Sequence, residues 1–343
     1  MPPPSLTARA PHRSLGNLAL RLRVSGVVAV LILLGGAFAV LSPQFLTPQN
    51  LTAIVSNAAI LAIVAAAQAV VLLTRNLDVS VGSIMGLCAY LTADFAAAHQ
   101  GVGPVLVVMP LVLGAGLGLI NGLLVAYGRV SPLVATLGTL SLYRGATYIY
   151  ARGQEVTSYR LPRWMIGLAD ATIAGVPWLV VISVVVVALL AAFLRFYPAG
   201  RRIYAVGSNP LASAFFGLRA ERVIVLVYVI DGVLCGLSGF LYAARVGTVT
   251  VVLASGWELN SLAAAVIGGV SVTGGSGTVV GAALGAVVLA SIDNGLVLMG
   301  VPEFWRMFIQ GAAIVAAAAA DVLIAVQIRK SVQGRRRFQE RGV

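Results

Sequence analysis

Few residues in this sequence could do chemistry, and their spacing argues against most catalytic schemes. Lys330 is the only lysine and no G-x-x-x-x-G-K-[ST] run leads to it, so the chain by itself cannot cradle ATP in a phosphate loop. Gly274-Gly275-Ser276-Gly277 lacks that lysine and reads as a helix-breaking turn. The two histidines, His12 and His99, fall in a basic tail and a predicted periplasmic turn. That leaves no imidazole base inside the apolar runs, no HExxH zinc set and no Ser-His-Asp triad. Cys88 and Cys235 stand singly in apolar runs and read as small packing residues. Asp78, Asp231 and Asp293 are deep enough to meet in aspartyl or proton-coupled chemistry, yet no motif joins them. Energy for any work comes from elsewhere.

What remains is a set of polar residues inside apolar surroundings, which are costly there and ordinarily join helices or line a path. The run Thr74-Arg75-Asn76-Leu77-Asp78-Val79-Ser80 interrupts the apolar pattern as either a cytoplasmic turn or a broken helix entering a cavity. Arg75 and Asp78 are placed to pair within it. Asp78 or Ser80 either caps the following helix or lines the path. Asn57, Gln68, Thr136 and Thr139 are isolated, and interhelical hydrogen bonding is the default reading of each.

The elements that hold these residues are set by composition. With 343 residues, 59% hydrophobic and 10% charged, and a mean hydropathy of +0.98, the chain has too little polar surface to cover a water-soluble globule. The fold class is therefore an all-α membrane protein, because apolar runs that do not alternate satisfy their backbone in lipid only as helices. Punctuation by Pro, Gly and charge predicts ten spans: 24–41, 51–73, 79–98, 104–127, 130–150, 176–194, 223–243, 259–272, 278–299 and 303–325. The eighth is too short to span alone, and an eight-span arrangement is the alternative.

The formal charge of +12 sits in clusters at the edges of these runs, as an orientation signal does, and not as a nucleic-acid face. Most of the 23 basic residues fall on one side if both termini are cytoplasmic: a basic tail 1–23, Arg75 and Arg129, the loop 195–222, and a basic tail 326–343. The transmembrane body is then 24–325. Gly114, Gly118 and Gly122, and Gly277, Gly281 and Gly285, recur at i+4 and let helix backbones approach closely. Asn121-Gly122-Leu123-Leu124 and Asn294-Gly295-Leu296-Val297 end two Gly-rich spans of opposite direction, as an inverted repeat requires.

Over roughly residues 45–325 the chain resembles the permease subunits of ribose-type sugar importers of the ATP-binding-cassette superfamily. The residues that carry the resemblance are Leu77-Asp78-Val79-Ser80-Val81-Gly82-Ser83, Asn121-Gly122-Leu123, Ala135-Thr136-Leu137-Gly138-Thr139 with Tyr143-Arg144-Gly145, Tyr204 to Asn209, Glu258-Leu259 with Gly268-Gly269 and Gly274 to Gly277, and Asn294-Gly295-Leu296 with Phe304-Trp305. The resemblance implies a type II importer-like permease with ten helices in the bacterial inner membrane. It also implies cytoplasmic ATPase subunits carrying ATP and Mg, a periplasmic or lipid-anchored sugar-binding protein, and a second permease, identical or paralogous. The chain itself then binds no cofactor. The run around Asp78 is similar to the rhamnose and autoinducer-2 branches, and path residues are expected among Asn57, Asn76, Asp78, Asn121, Thr136, Thr139 and Asn294.

The segment 195–222 is the longest predicted cytoplasmic loop. Its middle, Pro210 to Leu218, is a short helix-compatible stretch after Ser208 or Asn209 as N-cap, with Phe215-Phe216 exposed as an anchor for a partner groove. The resemblance makes Ser208, Asn209, Pro210, Leu211, Ala212, Phe215, Phe216, Gly217 and Leu218 the ATPase-coupling loop, and the alternative is an interfacial helix lying on headgroups. Competing with the importer are an ion- or proton-coupled carrier, with Asp231 and Asp293 as the residues to watch, and a membrane scaffold without transport.

Overall fold

A computed structural model describes residues 12–312 other than 100 and 104, together with 315 and 319, with side chains from Ser25 onward. The expected C-terminal tail 326–343, residues 1–11 of the N-terminal tail, and most of the predicted span beyond residue 312 lie outside the described residues. The helices are α1 (His12–Leu41), α2 (Pro48–Leu73), α3 (Val81–Ala98), α4 (Val105–Ala126), α5 (Pro132–Ala151), α6 (Arg163–Asp170), α7 (Trp178–Phe196), α8 (Pro198–Ser208), α9 (Pro210–Phe215), α10 (Ala220–Val246), α11 (Trp257–Ile267) and α12 (Val279–Leu298). Residues 303–312 are also helical.

Of these, α2, α3, α4, α7, α10 and α12 are each long and apolar enough to cross a membrane, by length and composition. Apolar side chains that point away from the body, such as Leu33, Leu142, Ile149 and Leu189, need the same solvent. α1 begins at His12, earlier than the expected 24, and its apolar part Ser25–Leu41 is shorter than the six.

α2 is the central post. Thr47 caps it by accepting from the Asn50 amide, Pro48 starts it, and from Ala58 to Leu73 every residue is buried. A helix apolar on all sides belongs inside, and α7, α10, α11 and α12 all pack on it. The glycine runs do the close packing. A methyl group on Gly114 or Gly118 would overlap the backbone of Gly232 or Tyr228 on α10, and one on Gly281 or Gly285 would overlap Gly268 or Ala264. Both ladders are thus helix seams within one chain.

Non-helical backbone interrupts the bundle at two places. Residues 74–80 link α2 to α3 largely buried, and α11 has only 11 residues, about 16 Å at 1.5 Å per residue, before the glycine turns of 268–277 carry the chain on. That is half the roughly 30 Å of a bilayer core, as the short eighth span predicts. At the opposite end from α8, Thr172–Ile173 and Val176–Pro177 form a small hairpin, turning through Ala174 and Gly175 at positive φ.

Candidate functional site

The predicted polar residues separate into three places. The first is a sealed network around the 74–80 link. Asp78 accepts at Oδ1 from the Ser80 amide (2.7 Å) and hydroxyl (2.6 Å), and at Oδ2 from Asn121 Nδ2 (3.0 Å). Asn121 also donates to Ser80 Oγ (2.8 Å) and accepts from the Tyr143 hydroxyl (3.2 Å). Thr136 Oγ1 accepts from the Val79 amide at 3.1 Å, and the Tyr228 hydroxyl donates to the Leu77 carbonyl oxygen at 3.0 Å. Asp78 therefore caps the entry to α3, while Ser80 makes no side-chain cap bond of its own. Asn76 turns back on Thr74, and Thr139 donates to the Thr136 carbonyl. All of Asn76, Asp78, Asn121, Thr136 and Thr139 are buried.

Asp231, fully buried on α10, has no hydrogen-bond partner on either carboxylate oxygen among the described residues. Arg75 departs from its expected pairing with Asp78. Its Nε donates to the Gly207 carbonyl oxygen (2.5 Å) and its second terminal nitrogen to that of Ser208 (2.9 Å).

That bond opens the second place, the predicted coupling loop. α8 lies against the end of α2 so tightly that a methyl group on Gly207 would overlap the Leu73 carbonyl, which itself accepts from the Gly275 amide (2.9 Å). Ser208 Oγ reaches the Gly275 carbonyl (3.4 Å), and the Tyr204 hydroxyl donates to the Gly277 carbonyl (3.0 Å). Burial pushes the Tyr204 phenol above its ordinary range, so it stays a donor at all physiological pH values. Asn209 caps α9 by accepting from the Ala212 amide at 3.0 Å, and Ser213 ties α9 back to the Ala205 carbonyl. Leu211, Phe215 and Phe216 point outward, Phe215 91% and Phe216 84% exposed, ahead of Gly217 at φ 73°. Behind them a cavity of about 290 Å³ is walled by Arg202, Arg219, Arg222 and Leu218.

The third place lies toward the other end of α2. A cavity of about 320 Å³ is lined by Asn57 and Ile60 on α2, Tyr242 and Arg245 on α10, Trp257 and Asn260 on α11, Asp293 on α12, and Glu303, Arg306 and Gln310 beyond it. Asp293 Oδ1 accepts from Arg306 (2.9 Å) and Gln310 (3.1 Å), and Arg306 also pairs with Glu303. Asn294, one residue along, faces away from this group. It exchanges amide hydrogen bonds of 2.9 and 2.8 Å with Asn50 and so staples α12 to the start of α2. Sequence reading found Asn57 and singled out Asp293, but missed Tyr242, Arg245, Trp257 and Asn260. Their only common signal is a polar or aromatic residue within two helical turns of a span end.

Comparison with known proteins adds a family to this geometry. A family model described as branched-chain amino acid transport system / permease component matches residues 50–318. The chain is 35% identical over 314 residues to the autoinducer 2 import system permease protein LsrC of Photorhabdus luminescens, covering 90% of this chain and 92% of that one. Against LsrC of Escherichia coli (strain K12 / DH10B) it is 37% identical over 281 residues, 82% of this chain and 81% of the relative. No solved structure matches.

Proposed function

The chain belongs to the permease-component family of branched-chain amino acid transport systems, and from that premise we propose that it forms the translocation path for a sugar-like solute in an ATP-driven importer. Autoinducer 2 is the first solute to test, since it stands in the names of the relatives quoted above. The full reading has ten spans with both termini in the cytoplasm of a bacterial inner membrane. Nucleotide and Mg are held by separate ATPase subunits, and a binding protein outside delivers the solute to a pair of permeases.

The observation that carries this reading is the α8–α9 segment. It is an exposed aromatic tip on a base bolted to both the α2 end and the 268–278 turns, so a push on Phe215 and Phe216 reaches the spans as a rigid-body displacement. Of the polar residues, Asn57 lies on an open cavity and is proposed to line the path. Asn76, Asp78, Asn121, Thr136 and Thr139 are proposed to hold the irregular link that shapes it, with Asn294 fixing the neighbouring helix.

The test is uptake into vesicles holding the permease with its ATPase and binding protein. Uptake should require ATP and survive a proton ionophore. Uptake driven by a pH gradient without nucleotide contradicts the proposal.

A further inference from the structure

We propose that the cavity between α2, α10, α11 and α12 is a binding site for a neutral polyhydroxylated solute, which deepens and rests on the transport reading above. The polar groups on its walls are unlike those of the sealed network. Around Asp78 donors and acceptors answer one another, whereas the amides of Asn57 and Asn260, the Tyr242 hydroxyl and the Trp257 indole N–H have no hydrogen-bond partner among the described residues. Arg306 Nε is also buried without a partner, and both bonds to Asp293 end on Oδ1, which leaves Oδ2 without a hydrogen-bond partner among the described residues.

Polar groups with unspent capacity around a concavity are a ligand's complement, because desolvating them without a partner costs about 1–3 kcal/mol each. At about 320 Å³ the space sits at the small end of the roughly 300–1,000 Å³ typical of small-molecule sites. Tyr242 and Trp257 pack with ring centroids 4.7 Å apart and present an apolar wall beside the amides. One face for C–H groups and an opposite set of planar donors and acceptors is what a sugar ring demands and what a branched aliphatic chain leaves unpaired.

Of the charged groups on the wall, Arg306 and Asp293 are already closed on each other at 2.9 Å. A neutral polyol can insert hydroxyls between Asp293 Oδ2, Asn260 and Asn57 without breaking that pair.

The experiment is a binding titration on the full chain in lipid nanodiscs, without ATPase or receptor, using tryptophan fluorescence with autoinducer 2, D-ribose, L-rhamnose and, as contrast, L-leucine. At least one of the three polyols should give a saturable signal that Asn260→Ala and Asp293→Asn each weaken roughly tenfold and that Trp257→Phe removes, with L-leucine silent. Saturation by L-leucine alone, no saturation by any of the polyols, or polyol binding unchanged in the well-folded Asn260→Ala variant overturns the site. ATP-dependent uptake that persists in such a variant leaves the transport reading standing, so the two failures are distinguishable.

Discussion

The Arg75 guanidinium grips the carbonyl oxygens of Gly207 and Ser208, so the residue that ends α2 holds the helix that precedes the exposed Phe215–Phe216 tip. A charged donor with two carbonyls is a stiff joint, worth about 1.5–3 kcal/mol per bond to a charged group before solvent weakens it. Arg75 itself sits at φ 64°, an unfavourable backbone state that the surrounding bonds hold in place. Replacing it with Ala should leave the permease inserted and associated with the proposed ATPase subunit while uptake per ATP hydrolysed falls severalfold. Proteoliposomes with both rates measured give that ratio, and an unchanged ratio removes Arg75 from the joint.

Gly207 is the steric half of the same joint. Any side chain there meets the Leu73 carbonyl and the Gly275 amide, both backbone and unable to swing aside. Overpacking of this kind costs about 1–3 kcal/mol. Gly207→Val should lower the melting temperature of the detergent-solubilised permease by several degrees, whereas Gly138→Ala, in open space on α5, should not. Equal melting of the two variants contradicts the close approach.

Asp231, buried on α10 with neither oxygen partnered among the described residues, offers a test against ion-coupled transport. If it serves only to fill its packing site, Asp231→Asn keeps its shape with no charge to bury, so stability is held or raised and ATP-driven uptake persists. Asp231→Ala opens a cavity there and should cut folded yield. A proton-coupled carrier predicts the reverse for Asn, loss of uptake in a stable protein. Uptake and thermal melting of the two variants together separate these cases.

How much of this was legible in the sequence depends on the range of the interaction. Helix identity, the short eighth span, the glycine seams and the Asn209 cap follow from local periodicity and turn chemistry, and α9 begins where Asn209-Pro210 says it should. The partners of Arg75, Asp78 and Asn294 were not legible. Each bond joins residues 43 to 244 positions apart, and nothing in the local pattern ranks Gly207 above Asp78 as a partner for Arg75. The cavity was hidden for the same reason. It collects two or three residues from each of four helices and from the helical stretch 303–310, none of which breaks its own helix's pattern.

The last prediction concerns the tip of the loop. Phe215 and Phe216 expose two large apolar side chains on a six-residue helix whose base, Ser213, is buried and bonded back to Ala205. Exposed aromatics on a fixed base are the usual anchors of a protein groove, and a handful of such residues carries most of an interface's energy, at 2 kcal/mol or more apiece. Replacing both with Asp should abolish co-purification of the ATPase while the permease remains inserted and its melting temperature holds, since neither side chain packs inside the chain. A helix resting on lipid headgroups would instead lose membrane-surface protection and keep its ATPase. Co-purification from solubilised membranes, read beside hydrogen exchange of residues 210–218, distinguishes the two, and undiminished ATPase recovery excludes these aromatics from coupling.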